Sequence, residues 1–135
     1  MRIQCYVRCM LGAAKIMAFA ATANAVKARA FYEGVLGLDF IHEDEFAIVY
    51  DVQGVELRVQ KVRAFLAHRH TQLGWSVSSI DAAVKELRGK GVVFEAYADL
   101  NQDQNCVWTA PTGARIAWFK DPDGNLLSLT EASKA

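Results

Sequence analysis

Apolar side chains recur along this chain with two periods, one typical of strands and one typical of helices. Residues 16–22 are almost continuously apolar, as in a strand that is buried on both faces. Asn24 is a suitable N-cap, and the apolar spacing that follows it predicts a helix over residues 25–36, which Gly37 ends. Three strands are predicted next, at residues 39–42, 46–52 and 55–62, and Gln53-Gly54 forms the turn between the last two.

The second half of the chain repeats this order of elements. A shift of 54 residues places Ala28 on Ala82, Gly37 on Gly91 and Phe40 on Phe94. We therefore expect two βαβββ modules, about residues 15–62 and 72–131, in one α+β domain. The elements predicted for the second module are a strand at 72–78, a helix at 80–90, and strands at 92–96, 106–110, 114–120 and 126–131.

Composition and charge narrow the class of protein. The chain has 135 residues, which fits one domain, and no apolar run approaches the ~20 residues of a membrane span. Fifteen basic residues balance fifteen acidic ones, so no global field favours nucleic acid or membrane lipid as a partner. The chain has three cysteines, an odd number, and they are not spaced in the pairs that a zinc site requires. This indicates reduced thiols and a cytoplasmic protein. Residues 1–14 carry no acidic side chain and are interpreted as an extension outside the core.

Two motifs carry a resemblance to a known family. The segment AFYEGVLGL, residues 30–38, resembles the "FYxxvLGl" signature of the vicinal oxygen chelate superfamily. The segment FKDPDGNL, residues 119–126, is similar to that superfamily's turn before its last strand. The resemblance covers residues 15–131. Each motif also has a structural explanation, as a helix end and a reverse turn, and we interpret both as holding the fold together.

The resemblance implies a fold and two alternative functions. The superfamily includes glyoxalase I, extradiol dioxygenases and bleomycin-resistance proteins, and its fold is a cup-shaped antiparallel or mixed sheet. It implies a homodimer that binds a small organic molecule in the cup. One alternative is a lyase or dioxygenase relative with a degenerate metal site. The other is a non-catalytic protein that sequesters a ligand, as bleomycin-resistance proteins do.

The resemblance also implies where a divalent metal would be held. The family's ligand positions fall on Ala18, Glu56, Gln72 and Ser128, of which Glu56 is a strong donor and Gln72 a weak one. His70 is a further candidate donor, or else lies with His68 in an exposed linker between the modules. We therefore expect an incomplete metal site. Glu56 is then either a metal ligand or catalytic base, or an ion-pair partner of Arg58.

Strand alternation predicts which side chains share the pocket. Glu56, Arg58 and Gln60 point to one face of their strand, and the faces of Gln72 and Ser128 are expected to converge with it in one cup. The tryptophans are either ordinary core residues or the wall of an aromatic-lined cavity. The predicted ligand-binding residues are Arg58, Gln60, Gln72, Trp75, Trp108 and Ser128.

Overall fold

The first module follows the predicted order of elements in the computed structural model, which describes residues 10–134. The Asn24 side chain caps α1 (Ala25–Arg29) by accepting the Lys27 N–H at 3.1 Å. The helix continues without a break as a π-helical segment (Ala30–Val35). The remaining elements are a 3₁₀ turn (Leu11–Ala13) and strands β1 (Met17–Thr22), β2 (Asp39–Glu43), β3 (Ala47–Val52) and β4 (Val55–Lys61).

The second module repeats this arrangement with a shorter set of strands. The Ser79 side chain caps α2 (Ile80–Gly89) by accepting the Ala82 N–H at 3.2 Å. No helix within residues 10–134 is long and apolar enough to cross a membrane. Most of the predicted extension, residues 1–9, lies outside the described residues. The strands of this module are β5 (Leu73–Ser76), β6 (Trp108–Thr109), β7 (Arg115–Lys120) and β8 (Leu126–Glu131).

The prediction of a strand at residues 92–96 is wrong. Phe94 forms only an isolated bridge with Phe119, and the chain then continues as a loop to β6. The Gln102 side chain explains why, because it occupies backbone groups that a strand would have used. Its Oε1 accepts the Tyr97 N–H at 2.7 Å, and its Nε2 donates to the carbonyls of Glu95 and Cys106. The Glu95 N–H still donates to the Trp118 carbonyl at 2.8 Å, and beyond it the Gln102 side chain satisfies backbone groups in place of a neighbouring strand.

The strands form two four-stranded mixed sheets, in the orders β1-β4-β3-β2 and β5-β8-β7-β6. In each sheet the first pair is parallel and the others are antiparallel. Helix residues such as Tyr32 and Val84 lie in core clusters with one face of each sheet, which we name the helix-covered face. The opposite face is the helix-free face. Phe31, Leu36 and Leu73 border both clusters, so the modules share one core. The predicted α+β fold is confirmed.

The two sequence motifs meet at the junction of the modules. The Tyr32 hydroxyl, from the first motif, donates to Asp121 Oδ2 of the second at 2.7 Å, and both residues are buried. Asn125 Nδ2 donates to the same oxygen at 2.7 Å and to the carbonyl of Ala21 at 2.9 Å. Burial, with the negative charge of Asp121, raises the pKa of Tyr32 and keeps the hydroxyl protonated as a donor. Both motifs therefore stabilise the junction.

Candidate functional site

The helix-free face of the first sheet carries charged side chains in register. Strand pairing sets Met17 beside Glu56 and Glu56 beside Asp51, so these three form one row across the sheet. The next row contains Phe19 beside Arg58. Glu56 Oε2 accepts a hydrogen bond from Arg58 Nη1 at 3.1 Å, so these two charges of the face are paired with each other.

A histidine beside a carboxylate continues the row of Arg58, and the sequence alone did not reveal this pair. His42 shares this row through Val49, which pairs with both residues. His42 Nε2 lies 3.7 Å from Asp44 Oδ2. Hydrogen bonds from the backbone N–H groups of Phe46 and Ala47 hold the pKa of Asp44 below its usual value, and the charges of His42 and Arg58 add to this. The face therefore presents cationic and anionic groups side by side.

Ala18 does not occupy the position that the metal hypothesis gave it. It pairs with Leu57, a core residue, so its side chain lies on the helix-covered face, opposite Glu56. The β1 residue beside Glu56 is Met17. The run Met17–Thr22 is apolar on both faces, so its sequence holds no alternation that would have fixed this register.

The helix-free face of the second sheet carries an aromatic platform. Ser128 pairs with Gly74 on one side and Trp118 on the other, so the three form one row. The Trp118 ring lies 6.2 Å from that of Trp108, tilted by 32°, and 5.5 Å from that of Tyr97, which meets it edge-on. We name Trp118, Trp108 and Tyr97 the aromatic platform. Each is only half-buried, which leaves ring surface open to a ligand.

Gly74 keeps this row open. A Cβ at Gly74 would lie 2.7 Å from Ser128 Oγ, closer than such contacts occur. Trp75, by contrast, pairs with Leu129 and packs against the core on the helix-covered face. Trp75 therefore does not share a face with Gln72 and Ser128, whereas Trp118 does. The alternation of β7 carried that signal, since Trp118 falls in phase with Lys120 and out of phase with buried Phe119.

The segment between the modules covers one end of this second face. It encloses a hollow of about 510 Å³ together with Tyr97 and Lys120. His68 and Arg69 line the hollow from the linker side. Lys120 Nζ lies 3.6 Å from Glu95 Oε1, so one ion pair closes its wall. The hollow continues the aromatic platform through Tyr97, which belongs to both.

The side chains of Gln72 and His70 make contacts of their own. Gln72 Nε2 donates to the carbonyl of Phe19 at 2.8 Å and so connects the edges of the two sheets. The His70 ring is exposed and lies 4.9 Å from that of His68. Within residues 10–134, no three His, Cys, Asp or Glu side chains are grouped as a metal site. The described donor set therefore does not fit a divalent metal.

The predicted pocket residues are divided between the two sheets, and Gln60 and Gln72 line one hollow together. Glu56, Arg58 and the exposed Gln60 lie on the first sheet, whereas Ser128 lies on the second. The ion pair of Glu56 and Arg58 stays within its own strand. Of the aromatic residues predicted to line the pocket, Trp108 lies on the helix-free side as part of the platform, and Trp75 does not.

Comparison with solved structures places the fold. A glyoxalase family protein from Bacillus anthracis superposes with a TM-score of 0.70 at 17% identity, over 89% of this chain and 95% of that chain. The fosfomycin resistance protein FosX from Listeria monocytogenes superposes with a TM-score of 0.70 at 13% identity, over 90% of this chain and 94% of that chain. Lactoylglutathione lyase from Agrobacterium tumefaciens superposes with a TM-score of 0.70 at 14% identity, over 90% of this chain and 96% of that chain. No protein-family model and no curated protein sequence matches the chain. The predicted likeness to the vicinal oxygen chelate superfamily is confirmed as a likeness of fold.

Proposed function

We propose that the chain binds a small, flat, aromatic molecule on its aromatic platform and sequesters it without chemical change. The observation that carries this proposal is the row of Gly74, Ser128 and Trp118, which leaves an open aromatic surface on the helix-free face. Aromatic side chains with a few polar groups suit flat organic ligands. The hollow behind Tyr97, about 510 Å³, falls within the size range of small-molecule sites.

The acidic row on the helix-free face of the first sheet guides the choice of a cationic probe for the platform. Asp39, Asp51 and Glu56 stand in one row of the first sheet, and Arg58 balances only one of them. Like charges on neighbouring strands are unfavourable alone, and an approaching cation relieves that repulsion. We therefore choose a flat aromatic cation as the probe.

A second copy of the chain is the proposed partner. Met17 and Phe19 lie on the helix-free face and expose 46% and 42% of their surface. A homodimer that covers them needs about 800 Å² on each partner for a standard interface. In analytical ultracentrifugation, we expect the wild type to sediment at twice the monomer mass. The Phe19→Glu variant should sediment as a monomer. A wild-type monomer contradicts this part of the proposal.

The experiment for the ligand is a fluorescence titration with proflavine, a flat aromatic cation. Trp118→Leu is expected to weaken binding about tenfold, since aromatic contacts of this kind contribute roughly 1.4 kcal/mol. Trp75→Leu removes the same ring from the opposite face of the sheet and serves as the matched control, with a change below about twofold. Equal loss in both variants, or no binding by the wild type, contradicts the proposal.

The enzyme alternative has one observation in its favour. Glu56 occupies the helix-free face beside an exposed methionine, and its carboxylate is accessible. If Glu56 is a catalytic base or a metal ligand, the Glu56→Gln variant should fold normally but lose turnover or metal affinity. Glu45→Gln, at an exposed position of the β2–β3 hairpin, is the control. Stoichiometric binding of nickel, zinc, manganese or ferrous iron that Glu56→Gln abolishes supports the lyase or dioxygenase alternative over sequestration.

A further inference from the structure

An apolar crevice opens between the facing edges of the two sheets, where the two modules meet. β1 and β5 each stand at the edge of their own sheet. Gln72 holds these edges together at one end through the carbonyl of Phe19. At the other end Ala18 and Trp75 border a crevice of about 300 Å³, and a smaller hollow of about 200 Å³ continues beyond Trp75.

Small residues keep the crevice open. Ala18 and Gly74 lie on the two facing edges, and neither has a side chain long enough to fill the gap. Leu57 and Leu73 form its walls and already belong to the core or border it. The crevice is therefore walled by residues that the fold holds in place, and a ligand that enters it needs little rearrangement.

The chemistry of the walls selects the ligand. Carbon atoms dominate the lining, and the polar side chains are Gln53, in the β3–β4 turn, and Ser76. A dry cavity of about 150 Å³ lined by apolar side chains binds benzene, so about twice that volume suits two fused rings. The Trp75 indole supplies an aromatic wall of matching size. A charged ligand is disfavoured in the larger crevice because none of its lining side chains is charged, and Glu86 lines only the smaller hollow.

From these features we infer a second binding site, for a small uncharged bicyclic aromatic molecule carrying one hydrogen-bonding group. The rings lie against Trp75, and the polar group meets the Gln53 amide at the turn. This site is separate from the aromatic platform, because Trp75 and Trp118 project from opposite faces of the second sheet. Binding at one site is therefore measured without disturbing the other.

The test is calorimetric titration of the full chain with 2-naphthol. Ala18→Leu places a larger side chain in the crevice, and Val55→Phe closes it from a partly exposed rim position that carries little risk to folding. Each is expected to weaken binding at least about tenfold, a loss of roughly 1.4 kcal/mol. Ala21→Leu adds the same side chain to the other face of β1 and is expected to change affinity less than about twofold.

Three outcomes overturn the inference. One is wild-type protein that binds no 2-naphthol up to millimolar concentration. Another is unchanged binding in Val55→Phe that is confirmed to be folded by its thermal transition. The third is binding that Trp118→Leu abolishes and Val55→Phe preserves, which moves the molecule to the platform. Loss of 2-naphthol binding with retained proflavine binding, in Val55→Phe, supports two separate sites.

Discussion

Removal of one hydroxyl group at the module junction should measure how strongly the two halves are held together. Tyr32→Phe deletes the donor to Asp121 Oδ2, leaving every carbon atom of the ring in place. Asp121 keeps three donors: the backbone N–H groups of Asp123 and Asn125, and Asn125 Nδ2. A buried carboxylate that loses one hydrogen bond is left short of the solvation that the fold had supplied.

The magnitude follows from burial and charge. Tyr32 is 0% exposed and Asp121 5%, so water does not replace the lost donor. Hydrogen bonds to charged groups contribute about 1.5–3 kcal/mol, and we expect a loss of about 2 kcal/mol in the free energy of unfolding. For a chain of this length that corresponds to a fall of roughly 6–10 °C in Tm. Because the modules still share one core, unfolding should stay a single transition at a lower urea midpoint.

Urea unfolding followed by circular dichroism measures the effect, with Tyr97→Phe as the matched control. Tyr97 is a half-buried ring whose contact is edge-on with Trp118, and its variant should lose less than about 0.5 kcal/mol. A double-mutant cycle with Asp121→Asn should give a coupling of at least about 1 kcal/mol. If Tyr32→Phe and Tyr97→Phe are equally stable, the remaining three donors satisfy Asp121 and the junction does not depend on this bond.

Two further predictions concern the helix-free row and the outer charge network. Gly74→Ala should lower the free energy of unfolding by about 1 kcal/mol because its Cβ meets Ser128 Oγ, and Ser128→Ala in the same chain should restore most of the loss on urea titration. The hydrogen bond from Arg29 lowers the pKa of Glu33, so its contribution to stability is present above the unfolded pKa near 4.5 and is lost as pH falls below it. Arg29→Met should therefore unfold at lower urea concentration at pH 7 and lose less stability between pH 5 and 3 than wild type.

The order of elements could be predicted because each rests on local chemistry. Asn24 and Ser79 cap the two helices as side-chain acceptors, and the turns at Gly37 and Gly124 have positive φ, which glycine adopts without strain. The loop after Phe94 could not be predicted, because a single side chain, Gln102, satisfies backbone groups over several residues. The pattern of apolar residues in the segment 92–96 is the same as that of a strand.

The strand faces on which the candidate-site side chains lie could be predicted in part. Alternation placed Glu56 and Arg58 on one face, because β4 is polar on that side and apolar on the other. Alternation does not tell which strand of a neighbouring module lies opposite. It therefore could not decide whether the face of Ser128 meets the face of Glu56. Pairing across sheets depends on packing between distant segments, and the shared core residue Leu73 exemplifies such a contact.

The register of β1 gives the sharpest check on every face assignment above. Neighbouring strands lie about 4.8 Å apart, so a histidine at Met17 stands beside Glu56 and offers imidazole and carboxylate to one metal ion. Met17→His should bind Ni²⁺ at least about tenfold more tightly than wild type by calorimetric titration, and Glu56→Gln in that background should remove the gain. Ala18→His instead directs its imidazole to the helix-covered side beside buried Leu57, so it should lower Tm without any gain in affinity. If Ala18→His alone gained Ni²⁺ affinity, the register of β1 would differ by one residue from the pairing described above. That shift would turn Phe19 toward the core and remove the exposed apolar surface on which the proposed dimer depends.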